Sequence, residues 1–255
     1  MIEIENVTIH GFEEAIRGMR NPMNSWSKSD SNFCAYSKYT HKCGECPYNK
    51  ICCCEDKNMY TNYIVGPNDR QLMMKLAAGG SVHAKYRRMI TVYLDITAPL
   101  YWWKEFDTYK VGTVTNSCST MHKIHEKEFA LEDFSHEHLF ERAYDEDDSD
   151  CWIFARGGGS ILDTINVLED VIRMLNKARE IYLKTQDKRY WWQMIQLLPS
   201  SYNQRRTVML NYEVLAGIYS TRKNHKLDEW REFCRWIKEL PYNEIITGGK
   251  EKPDV

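Results

Sequence analysis

The chain has 255 residues, enough to bury roughly 70–75% of its unfolded surface, so it needs no metal or disulfide simply to fold. Its 43% apolar and 27% charged residues are those of a globular protein, which excludes disordered, collagen-like and transmembrane classes. Lys plus Arg is 34 against 36 Asp plus Glu, a net charge of −2. No overall basic field draws it to nucleic acid or an anionic membrane, and neither is an expected partner.

The opening Met1–His10 alternates apolar and polar residues, a strand pattern with no basic n-region and no apolar h-region. A cytoplasmic protein is expected, and no run of 18 apolar residues predicts a membrane span. Gly11–Arg20 reads as a short helix. Residues 21–65 are polar, irregular and rich in cysteine, and read as a long loop or insert centred on 30–60. Six of the nine cysteines lie there: Cys34, Cys43, Cys46, Cys52, Cys53 and Cys54, with His41 among them. Cys43-Gly-Glu-Cys46 is a C-x-x-C knuckle, which places two thiolates on one ion. A tetrahedral site needs two more ligands, for which Cys34, His41 and the Cys52–Cys54 triplet are available. Thiolate sets of this kind select zinc or an iron–sulfur cluster. The knuckle is single rather than paired, so a solvent-facing insert without metal is the alternative.

Pro67 opens a helix that runs to about Ala78 and closes at Gly79-Gly80. Met89–Ile96 is a β-rich run and predicts a buried strand. Pro99 suits the first turn of the next helix, Leu100 to about Asp107. The hydroxyl-rich stretch Gly112–Thr120 follows, and residues 145–150 form an acidic loop. Ser160-Ile-Leu-Asp163 is a capping box before a long amphipathic helix carrying Ile161, Ile165, Leu168, Ile172, Leu175 and Tyr182. Two more helices are expected, from about Arg205 to Thr221 and from Leu227 to Leu240. The expected architecture is a single α+β domain over 1–255, a central antiparallel sheet flanked by several helices.

Two groups of residues resemble the flavin-dependent thymidylate synthase (ThyX) family. The C-terminal group is Leu198-Pro199, Arg205, Asn211, Arg222 eleven residues after that Asn, then His225 and Glu229. The central group is Ile96-Thr-Ala-Pro99 followed by Asn116-Ser-Cys-Ser119, with His83 sixteen residues before Pro99. The resemblance implies a homotetramer with active sites at subunit interfaces, FAD as cofactor, dUMP as substrate, methylenetetrahydrofolate as carbon donor and NADPH as electron source. It implies that Arg222 contacts the pyrimidine and is catalytic. Ser117, Ser119 and Arg205 join it as substrate-binding residues. His83, Lys110, Asn116, Asn211 and His225 fall at flavin-binding positions. A fixed guanidinium suits the chemistry, because attack on the pyrimidine places negative charge on its carbonyl oxygens.

The sequence also departs from the family pattern. Tyr109 and Lys110 stand in the stretch where the family has Arg-His-Arg, and Ser117 stands for a Glu. Met121 and Ile195 stand for arginines, and Glu213 and Gly217 for polar flavin contacts. Two alternatives follow: a non-catalytic flavin- or nucleotide-binding homologue, and an enzyme of the same fold acting on another pyrimidine nucleotide.

Overall fold

The computed structural model describes residues 2–33, 63–140 and 164–248. The cysteine insert expected over 30–60, with Cys34, Cys43, Cys46 and Cys52, and the Ser160–Asp163 capping box lie outside the described residues.

The elements run in the order β1 (Glu3–His10), α1 (Phe12–Arg20), β2 (Asn32–Phe33), β3 (Tyr63–Ile64), α2 (Pro67–Ala78), β4 (Thr91–Pro99), α3 (Leu100–Phe106), β5 (Val114–Ser117), α4 (Thr120–Lys123), α5 (Thr164–Thr185), α6 (Lys188–Leu197), β6 (Asn203–Asn211), α7 (Tyr212–Arg222), α8 (Asp228–Glu239) and α9 (Glu244–Thr247). A four-stranded antiparallel sheet has the order β1-β4-β6-β5, and β2 pairs with β3. The chain groups into two units. The larger takes Ile2–Ile96, Asp107–Asn116 and Thr207–Val255, and the smaller takes Thr97–Phe106 and Ser117–Arg206.

In the larger unit, alternation makes β4 a strand. Val92, Leu94 and Ile96 are buried on one face. On the other, Asp95 accepts bonds from Asn6 Nδ2 at 2.8 Å and Thr207 Oγ1 at 2.6 Å, which ties three strands side by side. α1 buries Phe12, Ala15, Ile16 and Met19, an i, i+3, i+4, i+7 stripe. Gly11, at φ 94°, joins β1 to α1, and a Cβ there would lie 2.0 Å from the Met89 carbonyl oxygen, so only glycine fits. α8 buries Trp230, Phe233 and Ile237. The N-terminus of α2 is capped from a distance, since Asp30 accepts from Asn68 N–H at 2.9 Å and Asp69 N–H at 3.1 Å.

One expectation is corrected here. The helix read over Arg205–Thr221 is a strand followed by a helix. β6 buries Gln204, Val208 and Leu210, a two-residue period. Asn211 then ends the strand and starts α7, its Oδ1 accepting from Glu213 N–H at 3.1 Å and Val214 N–H at 3.0 Å.

In the smaller unit, α5 and α6 pack against each other around Leu168, Ile172, Leu175, Ala178 and Met194, with Ile124, Phe129 and Phe134. Trp102 and Phe106 of α3 stack with centroids 5.0 Å apart. α6 was not expected from the sequence. Among the described residues, no helix is long and apolar enough to cross a membrane.

Candidate functional site

The larger unit holds the residue on which the sequence places most weight. Arg222 is the last residue of α7 and is half-buried. Its Nε donates to the Tyr109 hydroxyl at 2.9 Å, and its Nη1 lies 2.9 Å from His225 Nε2. The guanidinium carbon sits 4.7 Å from the Trp230 ring centroid and 5.8 Å from that of Tyr109. The two rings meet edge-on, 5.9 Å apart. The cation therefore lies in a partly desolvated aromatic seat, an arrangement worth roughly 1–2 kcal/mol. The Leu227 N–H lies 3.2 Å from His225 Nδ1, so the tautomer that accepts from Arg222 and the one that accepts from Leu227 are alternatives. Behind the seat, burial pushes the Cys234 thiol up to about 11, outweighing the opposing pull of Lys238, Arg222 and Lys223.

Asn211 meets the turn that carries Lys110. Its Oδ1 caps α7, and its Nδ2 lies 2.8 Å from where a Cβ on Gly112 (φ 79°) would stand. Lys110 is exposed. The neighbouring Thr113 Oγ1 is buried with no hydrogen-bond partner among the described residues. Asn116 is exposed on β5, and His83 is exposed at the start of the 3₁₀ turn Ala84–Met89, against Gly79.

A cleft of about 460 Å³ runs along another face of α7, lined by Glu213, Gly217 and Lys223 together with Arg87, Met74 and Ile246. Glu213 is paired with Arg87 at 2.7 Å, so its carboxylate is already matched. A Cβ on Gly217 would meet nothing within 4 Å. The volume falls in the range of small-molecule sites.

The remaining expected residues lie in the smaller unit. The Arg205 carbonyl accepts from Cys118 N–H at 2.9 Å, which sets Arg205 beside the Ser117–Ser119 stretch. Ser119 Oγ caps α4, accepting from His122 N–H at 3.0 Å. Arg205, Ser117 and Ser119 are exposed. Among the described residues, no group of three or more His, Cys, Asp or Glu is placed to hold a metal. The sequence reading missed Tyr109, Thr221 and Trp230 as parts of the Arg222 environment.

The helix-flanked antiparallel sheet, with α7 leading out of its third strand, is a ThyX-like fold. Among solved structures, the chain is similar to Thymidylate Synthase X (ThyX) from Helicobacter pylori crystallised with FAD and dUMP. The TM-score is 0.58 at 14% identity, over 96% of each chain. A second structure of the Helicobacter pylori protein with FAD and dUMP gives 0.57 at 13% identity, over 95% of this chain and 96% of that one. The UMP/dUMP methylase PolB from Streptomyces cacaoi, bound with 5-Br dUMP, gives 0.52 at 16% identity, over 97% of this chain and 95% of that one. No protein-family model matches the chain, and no curated protein matches it.

Proposed function

We propose that the chain is a flavin-dependent enzyme that methylates C5 of dUMP, with methylenetetrahydrofolate as carbon donor and NADPH as reductant. The observation that carries this reading is the seating of Arg222 between Tyr109, His225 and Trp230. It is joined by a fold shared with proteins crystallised with FAD and dUMP. A guanidinium is a permanent cation with planar, directed N–H donors. Held in an aromatic seat, it stabilises negative charge developing on the pyrimidine carbonyls more strongly than it would in water. Ser117, Ser119 and Arg205 supply hydroxyl and cationic contacts to the nucleotide, at active sites between subunits of a homotetramer.

The residues present fit a flavin. The Thr113 hydroxyl, without a partner among the described residues, offers a polar contact, and Arg87 matches the Glu213 carboxylate that would otherwise repel an anionic cofactor. Lys110, Asn116, Asn211, His83 and His225, with Lys223, would hold it. When bound, the flavin supplies the electron transfer that protein side chains cannot. The chain's own residues bind the ring, orient it and keep the Arg222 side chain in place.

The test is turnover. Purified protein should show flavin absorbance at about 450 nm and should form thymidylate from dUMP. Arg222→Ala should lower kcat/KM at least about 100-fold. Turnover at the wild-type rate in that variant would refute the role. A second reading, action on UMP, is favoured by the likeness to a UMP/dUMP methylase, and comparing UMP with dUMP in the same assay separates the two.

A further inference from the structure

We propose that Tyr109 and Thr221 are positioning residues for Arg222, acting through a hydrogen-bond chain; the proposal rests on the reading of Arg222 given above. The direction is assigned from the distances. Thr221 Oγ1 carries one, and it lies 2.9 Å from the Gly217 carbonyl oxygen and 3.2 Å from that of Ile218. Carbonyl oxygens only accept, so both offer the threonine proton a partner back along α7, the nearer at the shortest distance Oγ1 makes. With its proton there, the threonine oxygen accepts from its next neighbour, the Tyr109 hydroxyl at 3.1 Å. With its proton turned to Thr221, the phenol presents a lone pair, and Arg222 Nε lies 2.9 Å from it. An N–H of arginine only donates, so every link agrees: arginine to tyrosine to threonine to helix carbonyl.

Such a chain polarises along its length, and each bond strengthens the next. Its far end is anchored on the backbone of α7, the helix that carries Arg222. The phenol therefore fixes the rotation of the guanidinium about its own stem, while Trp230 sits against its face at 4.7 Å. An arginine left loose would lose rotamer entropy on engaging a ligand. Here that ordering is already done before a ligand arrives, and preorganisation of this kind raises affinity and rate without a new contact.

The experiment uses the full chain with dUMP as probe and three variants. Tyr109→Phe keeps the ring on Trp230 and removes the hydroxyl. Thr221→Val keeps the shape of threonine and removes the acceptor. Thr221→Ser keeps the acceptor. In wild type, and in Thr221→Ser, the Arg222 Nε–H signal in nitrogen-15 NMR should exchange slowly with water; in Tyr109→Phe and Thr221→Val that protection should be lost. The dissociation constant of dUMP should rise about tenfold in the same two variants and stay within about twofold in Thr221→Ser. Equal Nε–H protection in wild type and Thr221→Val would overturn the chain while leaving the role of Arg222 standing. Protection that behaves as expected, with no dUMP binding by wild type, would overturn the functional reading and with it the positioning role.

Discussion

Replacing Asp69 with Asn tests how the N-terminal segment is fastened to α2. Asp69 is fully buried. One carboxylate oxygen accepts from Arg20 Nε at 2.6 Å. The other accepts from Ser29 Oγ at 2.7 Å, Ser31 Oγ at 2.6 Å and Asp30 N–H at 3.1 Å. Arg20, itself 5% exposed, also donates to the carbonyls of Ser25 and Lys28. An asparagine has one oxygen and one amide nitrogen. Facing Arg20, that nitrogen sets donor against donor; facing the serines, it opposes the Asp30 N–H, which cannot rotate away. Either way the Arg20 charge stays buried without its counter-charge, a loss of about 3–5 kcal/mol. For a chain of this size that lowers the melting temperature by roughly 6–20 °C. Urea unfolding followed by tryptophan fluorescence reads the difference. The pH dependence gives a second check. Burial pushes the Asp69 carboxyl up, but bonds from Ser31, Ser29 and Arg20 outweigh it and hold it below its ordinary 3.8. A depressed carboxyl contributes in full above its unfolded value and loses that contribution as pH falls through the folded one. The gap between wild type and variant should therefore narrow below about pH 4. A gap under about 1 kcal/mol at neutral pH, or one that does not shrink in acid, would refute the reasoning.

Asn211→Ala removes the bonds to Glu213 N–H and Val214 N–H that start α7, and should cost about 1 kcal/mol in a thermal melt; an unchanged melt would remove the cap from the account. In the native protein at pH 8, an alkylating reagent should label exposed Cys118 and spare buried Cys234, whose thiol burial has pushed up to about 11. Peptide mapping that finds Cys234 labelled as fast as Cys118 would contradict that environment.

Periodicity exposed the elements that are regular on one face and misled where two elements join. In α5, Leu168, Ile172 and Leu175 are buried at the helical spacing the sequence shows. Across β6 and α7, Val208, Tyr212, Leu215 and Tyr219 also fall at helical spacing, and all four are buried, so that stretch suits a single helix as well as a strand and a helix. The alternation of Gln204, Val208 and Leu210 distinguishes the strand, and Asn211 marks the junction, a polar residue whose side chain satisfies the first helical donors. A two-residue period running straight into a 3.6-residue one keeps the apolar positions in phase, so spacing alone does not separate them. α6 escaped for a different reason. Among its residues only Met194 is fully buried, while Trp191 and Ile195 are partly so, which leaves no clean apolar stripe to read.

The candidate site is legible in the sequence one residue at a time. Arg222 stands out because its spacing from Asn211 and Leu198-Pro199 resembles the ThyX family's, a pattern along one stretch of chain. Its companions do not share that stretch. Tyr109 is 113 residues away, brought back between α3 and β5, and Trp230 comes from the first turns of α8. Thr221 adjoins Arg222 in sequence, but its part lies in the back-bond to Gly217, which depends on helix geometry and not on composition. What a lone arginine can do is set by how it is held. An arginine at a helix C-terminus complements the helix dipole and nothing more. The same arginine, with its Nε on a phenol and its face on an indole, is a fixed cation with a defined direction. The sequence names the charge, and the fold supplies the orientation on which the proposed chemistry depends.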